Sequence, residues 1–248
     1  MAKVAGRGAK VLYGIADLSN WFNSADVARE GSALEVSGLG DTARMFIPGL
    51  RGGTVSRSGF YDGDQDATDE KLSNSLATAD GEVVTVMPEG LTVGKVAECL
   101  KARTTRYGLS SPVDGVGTVS GDIQSDGGVR SGHVLRTLDN EVTSDGDETS
   151  VDNAASTAEG GVGHLHVTEA DNDGGGDLVV MIEHSDTGAF AGEQAVLVTF
   201  APVEGQPVAE RVEVAAGTTV NRHLREVHLV SGGVAPRWTF AVAFGRGR

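Results

Sequence analysis

The sequence predicts a mainly β protein: a sandwich- or barrel-forming β domain with one or two short helices, followed by a C-terminal β-sandwich. Three observations predict it. Hydrophobic residues are 39% of the 248 residues and fall largely in short Val-rich runs rather than long ones. Thirty-six glycines, with Asp, Ser and Thr, separate those runs as turns between short strands require. Apolar and polar residues alternate with period two inside several runs, the mark of a strand with one face buried. Strands of that kind bury their apolar faces by stacking in two layers or by closing a ring.

Taken in order, SNWFNSADVAREG (residues 19–31) opens with Ser19 or Asn20 in a cap-like place. Its uneven apolar set of Trp21, Phe22, Ala25, Val27 and Ala28 fits either a short helix or an extended arm anchored by aromatics. Leu34 and Val36 alternate with Glu35 and Ser37, which predicts a half-buried strand. Residues 42–47 alternate again, with Ala43, Met45 and Ile47 on one face and Thr42, Arg44 and Phe46 on the other. Pro48 is expected to end that pairing, because it brings no N–H to a ladder. A second strand is expected over 54–61, so that the Pro48-Gly49 break projects a loop.

ATDEKLSNSLATADG predicts a helix of about three turns, with Thr68 as N-cap, Asp69 and Glu70 at the positive end, Leu72 and Leu76 on one face and Gly81 past the end. VVTVM (83–87) is a strand, and TVGKVAECLKAR (92–103) fits a short helix or a strand with a polar edge. In VGTVSGDIQSDGG, Val119, Gly121 and Ile123 alternate with Ser120, Asp122 and Gln124. One face of that strand is therefore small and polar, as a strand lining water would be.

LDNEVTSDGDETSVDNAASTAEGG (138–161) is acidic and almost free of large apolar side chains, which predicts a linker or long loop. The expected domains are thus 1–137, the linker 138–161, and 162–248. Strand candidates in the last part are 164–168, 178–184, 195–200, 210–214, 222–230 and 237–244; six strands in about ninety residues fit a small sandwich. The final strand sets Trp238, Phe240, Val242 and Phe244 on one face against Thr239, Ala241 and Ala243 on the other.

The formal net charge is −15 and the sequence pI near 4.7, which disfavours stable binding to phosphate backbones or membrane headgroups. Brief contact with DNA is compatible with it, since an acidic channel lets a strand slide. Few Lys, many Arg and abundant Asp fit a salt-loving host or a GC-rich genome equally well. Cys99 is the single cysteine, so no internal disulfide is expected. MAKVAGRGAK lacks the apolar run of a signal peptide, and no apolar stretch is long enough to span a bilayer. Synthesis and folding in a cytosol are expected.

Reactive groups are sparse at motif spacing. DGDQDATDE sets Asp62, Asp64 and Asp66 at alternate positions, but an EF-hand needs Gly and Glu where Ala67 and Ser73 stand, so a solvated acidic turn is expected. GHLHV places His164 and His166 on one side of a strand, with His184 or Glu183 as guesses for further zinc ligands; exposed strand histidines are the expectation. His133, His223 and His228 have no partner at motif spacing. No G-x-S-x-G elbow occurs, GRGAK lacks the full phosphate-loop spacing, and DNDGGGD reads as a glycine-rich turn. The apolar surroundings of Cys99 predict an inert buried thiol. No enzyme activity, cofactor or metal is expected.

One order of segments stands out: DLSNWFN (17–23), GDTARMFIPGLRGGTVSRSGFYDG (40–63), VVTVMP (83–88) and YGLSSPVDGVGTVSGDIQSDGG (107–128). Over residues 11–135 it resembles the tail tube (major tail) proteins of long-tailed, siphovirus-like double-stranded DNA viruses of bacteria and archaea, and the block from GGVGHLHV to RWTFAVAFGR looks like the extra β domain some of them carry. The resemblance implies hexameric rings stacked into a tube whose inner β-barrel wall conducts the genome. It implies self-association, contacts with other tail proteins (tape measure, tail terminator, distal tail), DNA passing without specific binding, no membrane contact, and a place in the virion tail after assembly in the host cytoplasm. On that reading Ser120, Asp122 and Gln124 are candidates to face the lumen, and Ile47, Pro48, Gly49, Leu50 and Arg51 to contact a neighbouring ring or subunit. The C-terminal sandwich is expected outside the tube. The alternative is a glycan-binding or decorating β module on a virion or cell surface with Trp238 as a sugar platform, although alternation predicts Trp238 in the core.

Overall fold

The structure, a computed structural model, describes residues 8–38, 40, 42–62, 68–77, 80–171, 175–190, 192–232 and 235–247. The chain runs β1 (Lys10–Tyr13), β2 (Ala16–Asp17), β3 (Phe22–Glu35), β4 (Phe46–Phe60), α1 (Thr68–Asn74) and a 3-10 turn (Ser75–Ala77). It continues through β5 (Glu82–Met87), β6 (Val96–Ser110), β7 (Thr118–Arg136), β8 (Gly146–Asp147), β9 (Val151–Asp152) and β10 (Gly161–Asp171). The last strands are β11 (Asp177–Ser185), β12 (Ala195–Thr199), β13 (Val208–Val214), β14 (His223–Ser231) and β15 (Arg237–Arg246). The protein is mainly β, its sheets are antiparallel, and both segments the sequence left open, around Phe22 and around Val96, are strands.

Two compact units share these elements: Met1–Asn20 with Val83–Cys99 and Arg130–Arg248, and Trp21–Glu82 with Leu100–Val129. This division differs from the boundary expected at 138–161. That segment is built into the first unit: β8 and β9 both pair with β14, Val142 bridges Trp238, and the Val142 and Val151 side chains enter the core. Two buried valines and backbone pairing hold a segment whose composition reads as linker.

The first unit is a sandwich. One sheet brings β13, β10 and β15 together, and the other has the order β12-β11-β14, with β8 and β9 along the outer edge of β14. Between them Leu165, Ile182, Phe200, Trp238, Phe240 and Phe244 are fully or almost fully buried. All six C-terminal strand candidates are present. The alternation in β15 separates two kinds of packing: its aromatics fill the sandwich core, while Ala241 and Ala243 on the other face meet a second cluster with Leu12, Met87, Ala97, Cys99 and Val134. Alanine on that face lets the neighbouring layer approach closely.

The second unit is a four-stranded antiparallel sheet in the order β3-β4-β7-β6. β4 pairs with β3 from Phe22/Gly59 to Glu35/Phe46, but with β7 only between Thr54/Gln124 and Phe60/Thr118. The first part of β4 therefore forms a two-stranded ribbon with β3. Here the expectation of a break is corrected: Pro48 lies within β4, opposite Ala33. A strand with one partner tolerates a proline, whose missing N–H removes no bond on a second side. A register shift between Gly31 and Ala33 takes up the irregularity, and Ser32 Oγ donates to the Leu50 carbonyl at 3.2 Å. A Cβ on Gly49 would lie 2.3 Å from Ser32 Oγ and 3.2 Å from the Ser32 carbonyl oxygen, so a larger residue there would displace the hydroxyl from its bond to Leu50.

Residues 42–45 are outside any strand, and Leu34 and Val36 are exposed rather than half-buried. The helix is also shorter than expected. The chain tightens to three residues per turn at Ser75, so Leu72 is buried while Leu76 turns outward. Asp64 and Asp66 of the acidic turn lie outside the described residues, whereas Asp62 accepts a hydrogen bond from Trp21 Nε1 at 3.0 Å. That bond pins the start of β3 to the end of β4.

Candidate assembly surfaces

The register of the second unit lines up side chains in rows across β3, β4 and β7. Ser24, Ser58 and Ser120 form one row, Asp26, Ser56 and Asp122 the next, and Ala28, Thr54 and Gln124 the third. The sequence candidates Ser120, Asp122 and Gln124 are thus brought together with polar partners that the sequence reading did not single out. Ser56 Oγ donates to Asp122 Oδ1 at 2.9 Å, Ser24 and Ser58 hydroxyls lie 2.8 Å apart, and Gln124 Nε2 donates to the Gly53 carbonyl at 3.2 Å. Thr54 Oγ1 donates to Glu30 Oε1 at 3.4 Å, and Arg106 stands 3.8 Å from Asp122. Asp26, Glu30 and Asp122 set three carboxylates on this face against the Arg106 guanidinium, and hydroxyls fill the places between them.

The alternate positions point to the other face. Val27, Val55 and Ile123 form one row and Ala25, Arg57 and Gly121 another. Val55 and Ile123 are buried, and so is Arg57, whose Nη2 donates to Thr104 Oγ1 at 3.3 Å with Ser75 Oγ 2.6 Å beyond. The guanidinium fits because residue 121 is glycine: a Cβ there would meet Arg57 Nε at 3.3 Å and the Arg106 carbonyl at 2.8 Å. α1 is fastened to β6 by Tyr107, whose hydroxyl donates to Asp69. Burial and that carboxylate push the Tyr107 phenol well above its ordinary pKa.

Of the candidates at 47–51, Ile47, Pro48, Leu50 and Arg51 are exposed and Gly49 is half-buried. They sit in the ribbon, not in a loop. Leu34 faces Ile47 across the ribbon, and Val36 N bonds the Met45 carbonyl, so one face of the tip presents Leu34, Val36, Met45 and Ile47. All four are exposed, as are Phe46 and, at 88%, Leu50. The period-two signal in 34–36 thus marks the end of β3 at Glu35, and among the described residues Leu34 and Val36 stay exposed.

The other chemical candidates resolve into packing. His164 and His166 are completely buried, correcting the expectation of exposed strand histidines. His166 Nδ1 donates to the Gly14 carbonyl at 2.7 Å, so its Nε2 accepts from Thr85 Oγ1 at 2.8 Å. Thr85 oxygen then accepts from His164 Nδ1 at 3.0 Å. Burial depresses both imidazole pKa values, that of His166 to about 4. Glu183 pairs with Arg225 and His184 Nδ1 accepts from Asn221 N, so neither joins the pair. Among the described residues no group of three or more His, Cys, Asp or Glu side chains is placed to hold a metal.

Cys99 is buried and its thiol pushed up to about 12 by desolvation, with Glu98 adding to it. Trp238 is fully buried, which removes the sugar platform of the glycan-binding alternative. His133 and His228 do find partners, Asn153 Oδ1 at 2.9 Å and Glu226 Oε1 at 3.0 Å. Spacing gave no signal for the first, since its partner is twenty residues away in sequence.

No protein-family model matches the chain, and no curated protein matches it by sequence. Solved structures do. A chain of the virion of a native gene transfer agent particle is 15% identical with a TM-score of 0.42, covering 51% of this chain and 97% of that one. A chain from the tail of an empty gene transfer agent particle of C6 symmetry is 14% identical, TM-score 0.39, covering 48% and 92%. The Dit protein of SPP1, described as a hub adsorption apparatus of phages infecting Gram-positive hosts, is 12% identical, TM-score 0.38, covering 96% and 99%. At these identities and scores they are similarities only, and the surfaces described above stand apart from them.

Proposed function

We propose that the protein is a structural, non-enzymatic component of a virion tail, whose copies join edge to edge into rings of six and stack as a genome-conducting tube. The observation that carries this reading is the four-stranded sheet of the second unit. β3 has only β4 beside it, while the fifteen-residue β6 has β7 on one side and the six-residue β5 along part of the other, so that the rest of that side is an open edge among the described residues. Such edges are ready to pair with another chain. Because the strand number is even and every pairing antiparallel, the two edges run in opposite directions. A copy rotated about a common axis then offers β3 antiparallel to the β6 of its neighbour, a heterologous contact that closes into a ring.

The sequence order shared with tail tube proteins supports the same reading. The acidic rows through Ser120, Asp122 and Gln124 would line the lumen, where carboxylates and hydroxyls offer DNA no multivalent phosphate contacts. DNA would pass without specific binding, and tape measure, tail terminator and distal tail proteins would be the other partners. The protein would be made in the host cytoplasm and reside in the tail. Sedimentation and negative-stain imaging of the purified chain, from low to molar salt, are expected to reveal rings and tubes; monomers at every salt concentration overturn the proposal.

A further inference from the structure

A cavity lies wholly within the first unit, beside the C-terminal end of β15. Its volume of about 340 Å³ is at the small end of the range that ligand pockets occupy, about 300–1,000 Å³. β7 and β15 pair there with His133 opposite Phe244 and Gly132 opposite Gly245, so Ser131 and Arg246 meet one residue further on. A Cβ at Gly132 would lie 1.8 Å from the Phe244 carbonyl oxygen, so glycine is what lets the two strands come this close. Asn153, just past β9, and Thr157, bridged to Val220, add the other polar walls.

The polar groups of the cavity are held in fixed orientations. Asn153 Nδ2 donates to the Arg222 carbonyl at 3.0 Å, which turns its Oδ1 to accept from His133 Nδ1 at 2.9 Å. The imidazole keeps Nε2 as its other polar atom. Thr157 Oγ1 accepts from Glu159 N at 3.2 Å, so its hydroxyl proton can be donated elsewhere. Arg246 Nη1 donates to the Asn153 carbonyl at 3.4 Å and Nη2 to the Val220 carbonyl at 3.2 Å. These neutral acceptors orient the guanidinium without cancelling its charge. Arg246 and His133 line the cavity and no Asp or Glu side chain among the described residues does, in a chain of formal net charge −15. Glu98, buried and outside the lining, accepts from Ser131 Oγ at 3.2 Å.

We propose that this cavity binds a small oxyanion, a carboxylate or phosphate group, against the Arg246 guanidinium. The Thr157 hydroxyl is the second donor, and His133 Nε2 accepts from a hydroxyl or acid proton that the ligand carries. Guanidinium pairs with either group through charge-assisted bonds, which are stronger in a half-buried site than in open water. The site adds to the tail reading without resting on it. All its groups belong to the first unit of one chain, and none lies in the sheet proposed to form the tube.

Calorimetric titration of the full chain with sodium phosphate and, separately, sodium acetate tests the site, with sodium chloride at matched ionic strength as the blank. Saturable binding of at least one of the two is expected, with a dissociation constant of about 1 mM for so few ligand atoms. Arg246→Gln keeps an amide that can donate to the neighbouring carbonyls and is expected to weaken binding about tenfold or more. His133→Gln keeps a donor for Asn153 Oδ1 and probes the same cavity from β7, with a loss of about threefold expected. The urea midpoint of each variant establishes that it is folded. Tighter binding of phosphate assigns the site to phosphate compounds, and tighter binding of acetate assigns it to carboxylates. Heats no greater than those of chloride for both anions, or wild-type affinity in either variant once folded, overturn the site.

Discussion

β15 and β4 are both long strands with alternating sequences, yet they end in different states. β15 is covered on both faces, aromatics on one and alanines on the other. β4 is covered on one face over its second half and on neither face at the ribbon, where Phe46, Ile47 and Leu50 stand in solvent. The sandwich buries most of its apolar side chains within one chain, Val196 and Leu229 being exposed, whereas the four-stranded sheet leaves Leu34, Phe46, Ile47, Leu50 and Phe60 open. A chain that covers one unit and leaves the other open in this way fits the proposed pairing with a second copy.

Substitutions sharpen that contrast. Trp238→Ala should have the largest effect on the unassembled chain, a loss of about 3–5 kcal/mol in urea unfolding, since it empties the centre of the sandwich. Acid comes next. The unfolded chain binds protons at His164 and His166 as pH falls through 6.5, while the folded chain holds His166 neutral until about 4. The stability is whole above pH 6.5 and lost progressively down to pH 4, by on the order of 3 kcal/mol for His166 alone. A urea midpoint that stays flat from pH 7 to 4 would break the assignment of neutral buried imidazoles.

Gly121→Ala should destabilise by about 1–3 kcal/mol, because the added methyl meets the Arg106 carbonyl and the Arg57 guanidinium. Replacing it should disturb the covered face of the open unit without touching the sandwich, which hydrogen exchange can separate. The smallest effect on folding belongs to Leu50→Ser, within about 0.5 kcal/mol for the unassembled chain, with the loss appearing in tube formation. Were Leu50→Ser to unfold the single chain as Trp238→Ala does, the contrast between the two regions would fail.

Much of this was legible because it is local. Turn residues and period-two runs located all six C-terminal strands, and alternation alone assigned Trp238 to the core and separated Val119, Gly121 and Ile123 from Ser120, Asp122 and Gln124. Three of the misreadings turned on segments remote in sequence. Composition made 138–161 a linker because the pairing of β8 and β9 with β14 lies some eighty residues ahead. His164 and His166 read as exposed because the hydroxyl that satisfies them belongs to Thr85. Pro48 read as a break because nothing local says that β4 has only one neighbour at that point.

By itself the sequence determined the class of the fold and the faces of the strands whose alternation is clear, since a pleated chain sends successive side chains to opposite sides whatever lies beyond. Whether a face is covered was decided by tertiary structure alone, because burial depends on which distant segment arrives. The same alternation that sinks Phe240 into a core leaves Leu34 and Ile47 in solvent, and that difference is where the proposed assembly begins.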